Sequence, residues 1–367
     1  MGKDINIFKP YLKVSVEYKG GKTLNEISNI EKPIYKLSSN ENLLGSSPLA
    51  LAAIMGNIEN LNSYPDRTPQ RLQNKLSEFY KGELTPSQFI CGPSGSEVLE
   101  LIIRAFMGEG LECLISNPAF LVYQMFSEKQ GGVVVDVPLD QTNFDLDIDG
   151  LLSAVTDKTR ILFLTSPNNP TGSYIPEKDL DRIVNEVPDH VIVVIDEVYF
   201  QFADAPDFCR PLKYVKQGKN VVGINSFSKA YGLAGLRMGY AYTTEKIANY
   251  VRQLSKPFLL NLLGLEAAMA ALDDDKFIQE TVGLVLAEKQ KIYDAFDRLK
   301  LHYWKTQGNF ILTKPPMEAV EFENKMFQEG IMVRPVANFG APGCVRITIG
   351  TEEANDAMIA ALETIMK

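Results

Sequence analysis

The sequence predicts an α/β fold: a large domain with a mostly parallel sheet flanked by helices, plus a small α+β domain built from both chain termini. Three observations predict it. Short apolar runs alternate with helical patterns up to about residue 245, which implies parallel strands covered on both faces. From about Lys246 the character changes to long helical patterns. The tail then reads as helix, strand, helix, strand, strand, which suits a separate small domain. At 367 residues the chain has room for about two domains of ~100–200 residues each.

Taken in order, Glu97–Phe106 has helical spacing and leads into the short apolar run Glu112–Ser116. Pro118–Gln130 looks helical again, until Gly131-Gly132 breaks it ahead of Val133–Val137. Arg160–Thr165, Val191–Ile195 and Val221–Asn225 are further buried-type strands with helices between them. Ile278, Thr281, Val282, Val285, Lys289, Ile292, Phe296 and Leu299 fall mostly at three- and four-residue steps, one largely apolar stripe on a long helix. Gly308–Thr313, a helix near Glu318–Glu329, Ile331–Arg334 and Val345–Ile349 complete the tail. The division expected is 39–254 for the large domain, with 1–38 and 255–367 forming the small one.

Composition excludes several classes. Hydrophobic residues make up 45% and charged residues 23%, with 26 Gly and 20 Pro, a globular balance. The net charge of −9 disfavours a nucleic-acid backbone, which selects for a basic surface. The densest apolar run is of strand length, far short of the ~18 residues of a membrane span, so no membrane partner is expected. Cys91, Cys113, Cys209 and Cys344 form no C-x-x-C pair, which favours a reducing, cytoplasmic compartment. His190 and His302 are the only histidines, too few for a His-rich metal centre. No metal is expected, and acid–base chemistry falls to Lys, Tyr, Asp or Glu.

Four segments could carry chemistry. In Ser226–Gly239, Lys229 follows a buried-type strand and sits among Ser226, Ser228, Gly232 and Gly235, with Arg237 eight positions on; glycines and hydroxyls around a lysine permit close approach of a phosphate. An isolated lysine is more often a solvated one. Ser226 and Lys229 also make the Ser-x-x-Lys of serine acylases, but the Ser-Asp-Asn and Lys-Thr-Gly partners are absent. Asp196 stands at the C-terminal end of a buried strand, where ligands meet open α/β sheets, although a capping aspartate can stand there too. Ser166–Gly172 offers side-chain amides on a Pro-fixed turn, which plain turn chemistry also explains. Gly92–Glu97 is a Gly-rich turn opening a helix, which suits an anion or an ordinary cap. Together the four suit one ligand: a phosphate, a ring or amine needing a carboxylate, and a nucleophilic lysine.

That combination and its order resemble the fold type I pyridoxal-phosphate aminotransferases, through N-N-P-T-G, D-E-x-Y, S-x-S-K and the downstream Arg, from about Lys9 to Gly350. Within that superfamily, Pro10-Tyr11, Lys36–Asn42, Tyr64–Asp66 and Val345–Gly350 look most like the histidinol-phosphate aminotransferase branch. Two departures stand out: Ser94-Gly95-Ser96-Glu97 replaces the usual Gly-Ser/Ala-Asp-Glu, and Phe120 replaces a more usual tyrosine.

The resemblance implies pyridoxal 5'-phosphate as cofactor. Lys229 would hold it as an imine and shuttle the proton between the substrate α-carbon and the cofactor. Asp196 would pair with the pyridinium nitrogen, while Tyr199 and Asn169 would bond the ring 3-oxygen. Gly95 and Ser96 amides, with Ser226, Ser228 and Arg237, would bind the phosphate, and Phe120 would stack on the ring. Tyr64 would reach the phosphate in the neighbouring subunit, so a homodimer is implied. Arg346 would take the substrate carboxylate or the phosphate that replaces it, with Arg334, Tyr11 and Asn40 nearby. The substrates implied are an amino acid and a 2-oxo acid, with glutamate as donor and histidinol phosphate as the preferred partner. An aromatic amino-acid aminotransferase and a phosphorylated-amino-acid decarboxylase are alternatives on the same fold. The serine acylase is the alternative from another class.

Overall fold

The computed structural model describes residues 9–12 and 32–367. Its centre is a seven-stranded sheet in the order Phe89–Gly92, Gly239–Tyr242, Val221–Ser226, Ile192–Asp196, Thr159–Thr165, Glu112–Ile115, Val133–Asp136. The last five strands in that order pair in parallel, while Gly239–Tyr242 is antiparallel to both of its neighbours. The strand Ile192–Asp196 is buried at every position, which is why it reads as a continuous β-branched run instead of an alternating one. Two cores cover the two faces of the sheet: one holds Val98, Ile102, Val122 and Val194, the other Leu162, Leu180, Val193 and Ile195. Odd and even residues of one strand thus feed opposite cores, as the period of two requires.

The small domain has a four-stranded antiparallel sheet in the order Arg334–Pro335, Val345–Thr348, Phe310–Lys314, His302–Trp304. Beside it, Tyr35–Lys36 pairs in parallel with Ile331–Met332, tying the chain entering the large domain to the C-terminal part. The long helix Asp275–Leu299 buries Thr281, Val285, Ile292 and Phe296, the expected stripe. Its start is fixed by Asp274, whose carboxylate accepts from Phe277 N at 3.3 Å and from the Ser47 hydroxyl at 2.6 Å.

Several expectations need adjustment. The helix expected over Pro118–Gln130 forms only over Val122–Glu128, because residues 117–120 run as a bend and irregular backbone ahead of it. Ile331–Arg334 divides into two short strands that join different sheets. Leu265, Ala267, Ala268, Ala271 and Leu272 pack into the large-domain core, although they lie past the expected boundary at residue 254. Of residues 1–38, Tyr35–Lys36 joins the small domain, while the Tyr11 ring lies against Gly131 of the large one; residues 1–8 and 13–31 fall outside the described residues. Among the described residues, no helix is long and apolar enough to cross a membrane, and no cluster of His, Cys, Asp or Glu could hold a metal ion.

Candidate active site

The strands Thr159–Thr165, Ile192–Asp196 and Val221–Ser226 end side by side, with Thr165 paired to Asp196 and Asp196 to Ile224. Parallel pairing brings their C-terminal loops to one edge, and a cleft of about 540 Å³ opens there. The small domain forms its opposite wall through Arg334, Phe339 and Arg346.

One end of the cleft is built for an anion. The helix Ser94–Phe106 begins at the lip, with Ser94, Gly95 and Ser96 among the lining residues. Its first amides have no backbone partner within the helix and carry the positive end of its dipole, although Glu97 N donates to Ser94 Oγ at 3.3 Å. Ser226, Ser228 and Arg237 also line the cleft, and Ser226 Cβ lies 3.5 Å from where a Cβ on Gly95 would stand. The Ser226 hydroxyl donates to Ser228 Oγ at 2.9 Å and accepts from Ser228 N at 3.1 Å, so the turn after the strand holds both hydroxyls together. Arg237 has a left-handed backbone, φ 55°, and its guanidinium donates to Ala234 O at 3.0 Å. The glycine this end requires is Gly239: a Cβ there would come within 2.3 Å of Gly95 N, backbone that cannot move aside. At Gly95 itself the nearest atoms to a Cβ lie at an ordinary 3.5 Å.

At the centre, Asp196 is 7% exposed. One oxygen accepts from the Tyr123 hydroxyl at 2.8 Å and the other from Val198 N at 3.2 Å. Burial pushes its carboxyl up to about 6, against the opposing pull of those two donors. Lys229 donates to Ser39 O at 3.2 Å. Burial brings its amine down to about 8, with Arg346 and Arg237 pushing the same way and Glu41 and Asp196 opposing. An amine in that range is about one-tenth neutral at pH 7, a far larger nucleophilic fraction than an ordinary lysine offers. Tyr199 is buried and accepts from Asn40 Nδ2 at 3.1 Å, and Asn40 N donates to Thr348 Oγ1 at 2.9 Å.

The other end presents Arg346, 5% exposed, which donates to Asn169 Oδ1 at 2.5 Å and to Ser38 O at 2.8 Å. Its guanidinium also lies 5.5 Å from the Phe310 ring centroid and 5.8 Å from that of Phe339. A planar guanidinium on the cleft wall is the group that binds a carboxylate or phosphate through paired hydrogen bonds. Arg334 pairs opposite Arg346 on the neighbouring strand and also lines the cleft.

Of the residues singled out in the sequence, Asn40, Gly95, Ser96, Phe120, Asn169 and Asp196 line this cleft, as do Tyr199, Ser226, Ser228, Lys229, Arg237, Arg334 and Arg346. Two lie elsewhere. Tyr64 is 85% exposed and packs on Phe258 with ring centroids 5.1 Å apart. Tyr11 is held at Gly131, with Lys9 Nζ 5.6 Å from its ring. Within one chain, neither touches the cleft. Sequence reasoning missed Tyr123, Ser38 and Glu41, all of them in the lining. Tyr123 reads as one more apolar helix residue, and its only signal was the helical step of three from Phe120.

The donor set fits pyridoxal phosphate: a helix start, two hydroxyls and an arginine for its phosphate, a buried carboxylate for its ring nitrogen, and an amine of lowered pKa for its aldehyde. The Ser-x-x-Lys reading fits less well, because the Ser226 hydroxyl bonds Ser228 and the Lys229 amine bonds Ser39 O.

Comparison with known proteins agrees. The family model for aminotransferase class I and II matches residues 32–362. The chain is 35% identical over 360 residues to histidinol-phosphate aminotransferase 2 of Hydrogenovibrio crunogenus, covering 97% of this chain and 95% of that one. It is 38% identical over 356 residues to the histidinol-phosphate aminotransferase of Akkermansia muciniphila, covering 96% of each. The crystal structure of histidinol-phosphate aminotransferase from Sinorhizobium meliloti in complex with pyridoxal-5'-phosphate superposes with a TM-score of 0.83 at 25% identity, over 91% of this chain and 92% of that one. A pyridoxal-phosphate enzyme that moves amino groups is thus indicated by both the cleft and its relatives, and the chain belongs to the class I and II aminotransferases.

Proposed function

We propose that this enzyme transfers the amino group between glutamate and imidazole acetol phosphate, forming histidinol phosphate, and that it does so as a cytoplasmic homodimer. The observation that carries the substrate reading is the pair Arg334 and Arg346 lining one end of the cleft. Two cations exceed what a single α-carboxylate needs and suit a dianionic phosphate, which planar guanidinium groups bind through paired hydrogen bonds. The full-length relatives bearing the histidinol-phosphate aminotransferase name support the same choice.

When bound, pyridoxal phosphate supplies an electron sink for the carbanion formed at the substrate α-carbon. The remaining work falls to this chain. Lys229 would hold the cofactor covalently, and its amine, once free, would move the α-proton. Asp196 would hold a proton on the ring nitrogen. Asn169 and Tyr199 would hold the ring 3-oxygen, with Asn40 fixing the Tyr199 hydroxyl. Phe120, also in the lining, would cover one ring face. The serines, the helix start and Arg237 would anchor the phosphate, with Arg346 and Arg334 taking the anionic end of the substrate.

The dimer reading is supported by an exposed apolar stripe. Leu49, Leu51, Met55, Ile58 and Leu61 all stand at least 46% exposed along the helix Pro48–Asn57 and the turn after it, leading to Tyr64. A second copy is the occupant that would bury this stripe and bring Tyr64 to the phosphate end of the neighbouring cleft. Four free, buried cysteines are in keeping with the cytoplasm.

The substrate reading is tested by steady-state kinetics with 2-oxoglutarate as acceptor. Histidinol phosphate should have a higher kcat/KM than phenylalanine or tyrosine, and Arg334→Ala should raise KM for histidinol phosphate far more than for phenylalanine. An equal or better kcat/KM for the aromatic amino acids would move the enzyme to the aromatic branch.

A further inference from the structure

The Asp196 carboxylate is held by a side chain that no motif in the sequence singles out. Tyr123, in the first turn of the helix Val122–Glu128, is 1% exposed, and its hydroxyl lies 2.8 Å from Asp196 Oδ2 and 2.9 Å from Thr165 Oγ1. A phenol has one proton. Given to the ionised carboxylate, it leaves the phenol oxygen to accept from Thr165, which completes a directed chain Thr165→Tyr123→Asp196. The ring cannot swing away, being stacked on Phe163 at 5.0 Å and 11° and met edge-on by Phe120 at 5.9 Å.

We propose that Tyr123, oriented by Thr165, is a positioning residue that fixes the plane and the ionised form of the Asp196 carboxylate for the cofactor ring nitrogen. This rests on the reading that Asp196 meets that nitrogen. A hydrogen bond donated to a carboxylate favours the charged form, and here it opposes burial, which drives the same group toward neutrality. The second carboxylate oxygen is held by Val198 N, a backbone donor that cannot be substituted away, so Tyr123 is the adjustable half of the clamp. Burial and the nearby Asp196 hold the Tyr123 phenol well above its ordinary pKa, so it stays a donor at all working pH values.

The test compares Tyr123→Phe, Asp196→Asn, the double variant and the parent as holoenzymes, by pH titration of the bound cofactor's visible absorption and by kcat and KM for glutamate. Phenylalanine keeps the stacked ring and removes only the hydroxyl. Tyr123→Phe should move the titration midpoint in the same direction as Asp196→Asn but less far, lower kcat about tenfold, change KM for glutamate by less than about threefold, and have no further effect in the Asp196→Asn background. A one-tenfold loss corresponds to ~1.4 kcal/mol of barrier, of the order of a hydrogen bond to a charged group. If Asp196→Asn moves the midpoint and Tyr123→Phe does not, the proposal fails while the Asp196 reading stands. If Asp196→Asn leaves the midpoint in place, both fail. Should Tyr123→Phe not fold, Thr165→Val tests the same chain: a smaller shift of the same sign supports it, and no shift overturns it.

Discussion

Arg346 of the small domain donates to the side-chain oxygen of Asn169 of the large domain across 2.5 Å, so the cleft is closed at its far end by a contact between domains. The contact also orients the amide. With its oxygen engaged by Arg346, the NH₂ of Asn169 is the group left to donate to an anionic ring 3-oxygen.

Removing the guanidinium should therefore injure two functions at once. Arg346→Ala is expected to lower kcat/KM for glutamate and for histidinol phosphate by 100-fold or more, since bonds to a charged group contribute ~1.5–3 kcal/mol each. Cofactor affinity should fall by a smaller factor, through the freed Asn169. Steady-state kinetics together with equilibrium dialysis of the cofactor check this, and an unchanged KM for both substrates would remove Arg346 from substrate binding.

The lowered pKa of Lys229, about 8, makes a prediction about cofactor capture. Only the neutral amine attacks an aldehyde. Below pH 8 the neutral fraction falls about tenfold per pH unit, so the rate of covalent capture by apoenzyme should rise steeply to about pH 8 and then level. An unperturbed lysine would keep rising to about pH 10.4. Stopped-flow absorbance on mixing apoenzyme with pyridoxal phosphate distinguishes the two profiles.

How far the sequence disclosed this site depends on how local each part is. Asp196, Asn169 and Lys229 are legible because each stands at or just beyond the C-terminal end of a strand whose burial shows in its composition, and parallel pairing then puts those ends together. Gly239–Tyr242 was not read as a strand: it is antiparallel to both neighbours, and nothing in four residues announces that partner choice. The Tyr123–Asp196 bond joins residues 73 positions apart and uses a side chain that also packs as core, so no period or motif reveals it. Gly95 drew attention as the glycine of a phosphate turn, yet the close approach falls on Gly239, because the crowding comes from a strand remote in sequence.

The proposed homodimer would bring Tyr64 to the neighbouring cleft. Tyr64→Phe subunits mixed with Lys229→Ala subunits should form hybrid dimers in which the site that keeps Lys229 receives an unaltered Tyr64 from the other chain. That site should work like the parent enzyme, so hybrid activity should exceed that of the Tyr64→Phe homodimer. Activity no higher than that homodimer would mean that Tyr64 does not act across the interface.

Lys229 should be the residue that holds the cofactor, in a cleft shared with Asp196 and Arg346. Borohydride reduction of the holoenzyme, followed by peptide mapping, locates the attachment. The visible band should bleach and a phosphopyridoxyl group should appear on the peptide carrying Lys229, absent from Lys229→Ala. A label on another lysine, or a colourless protein that takes up none, would remove Lys229 from that role.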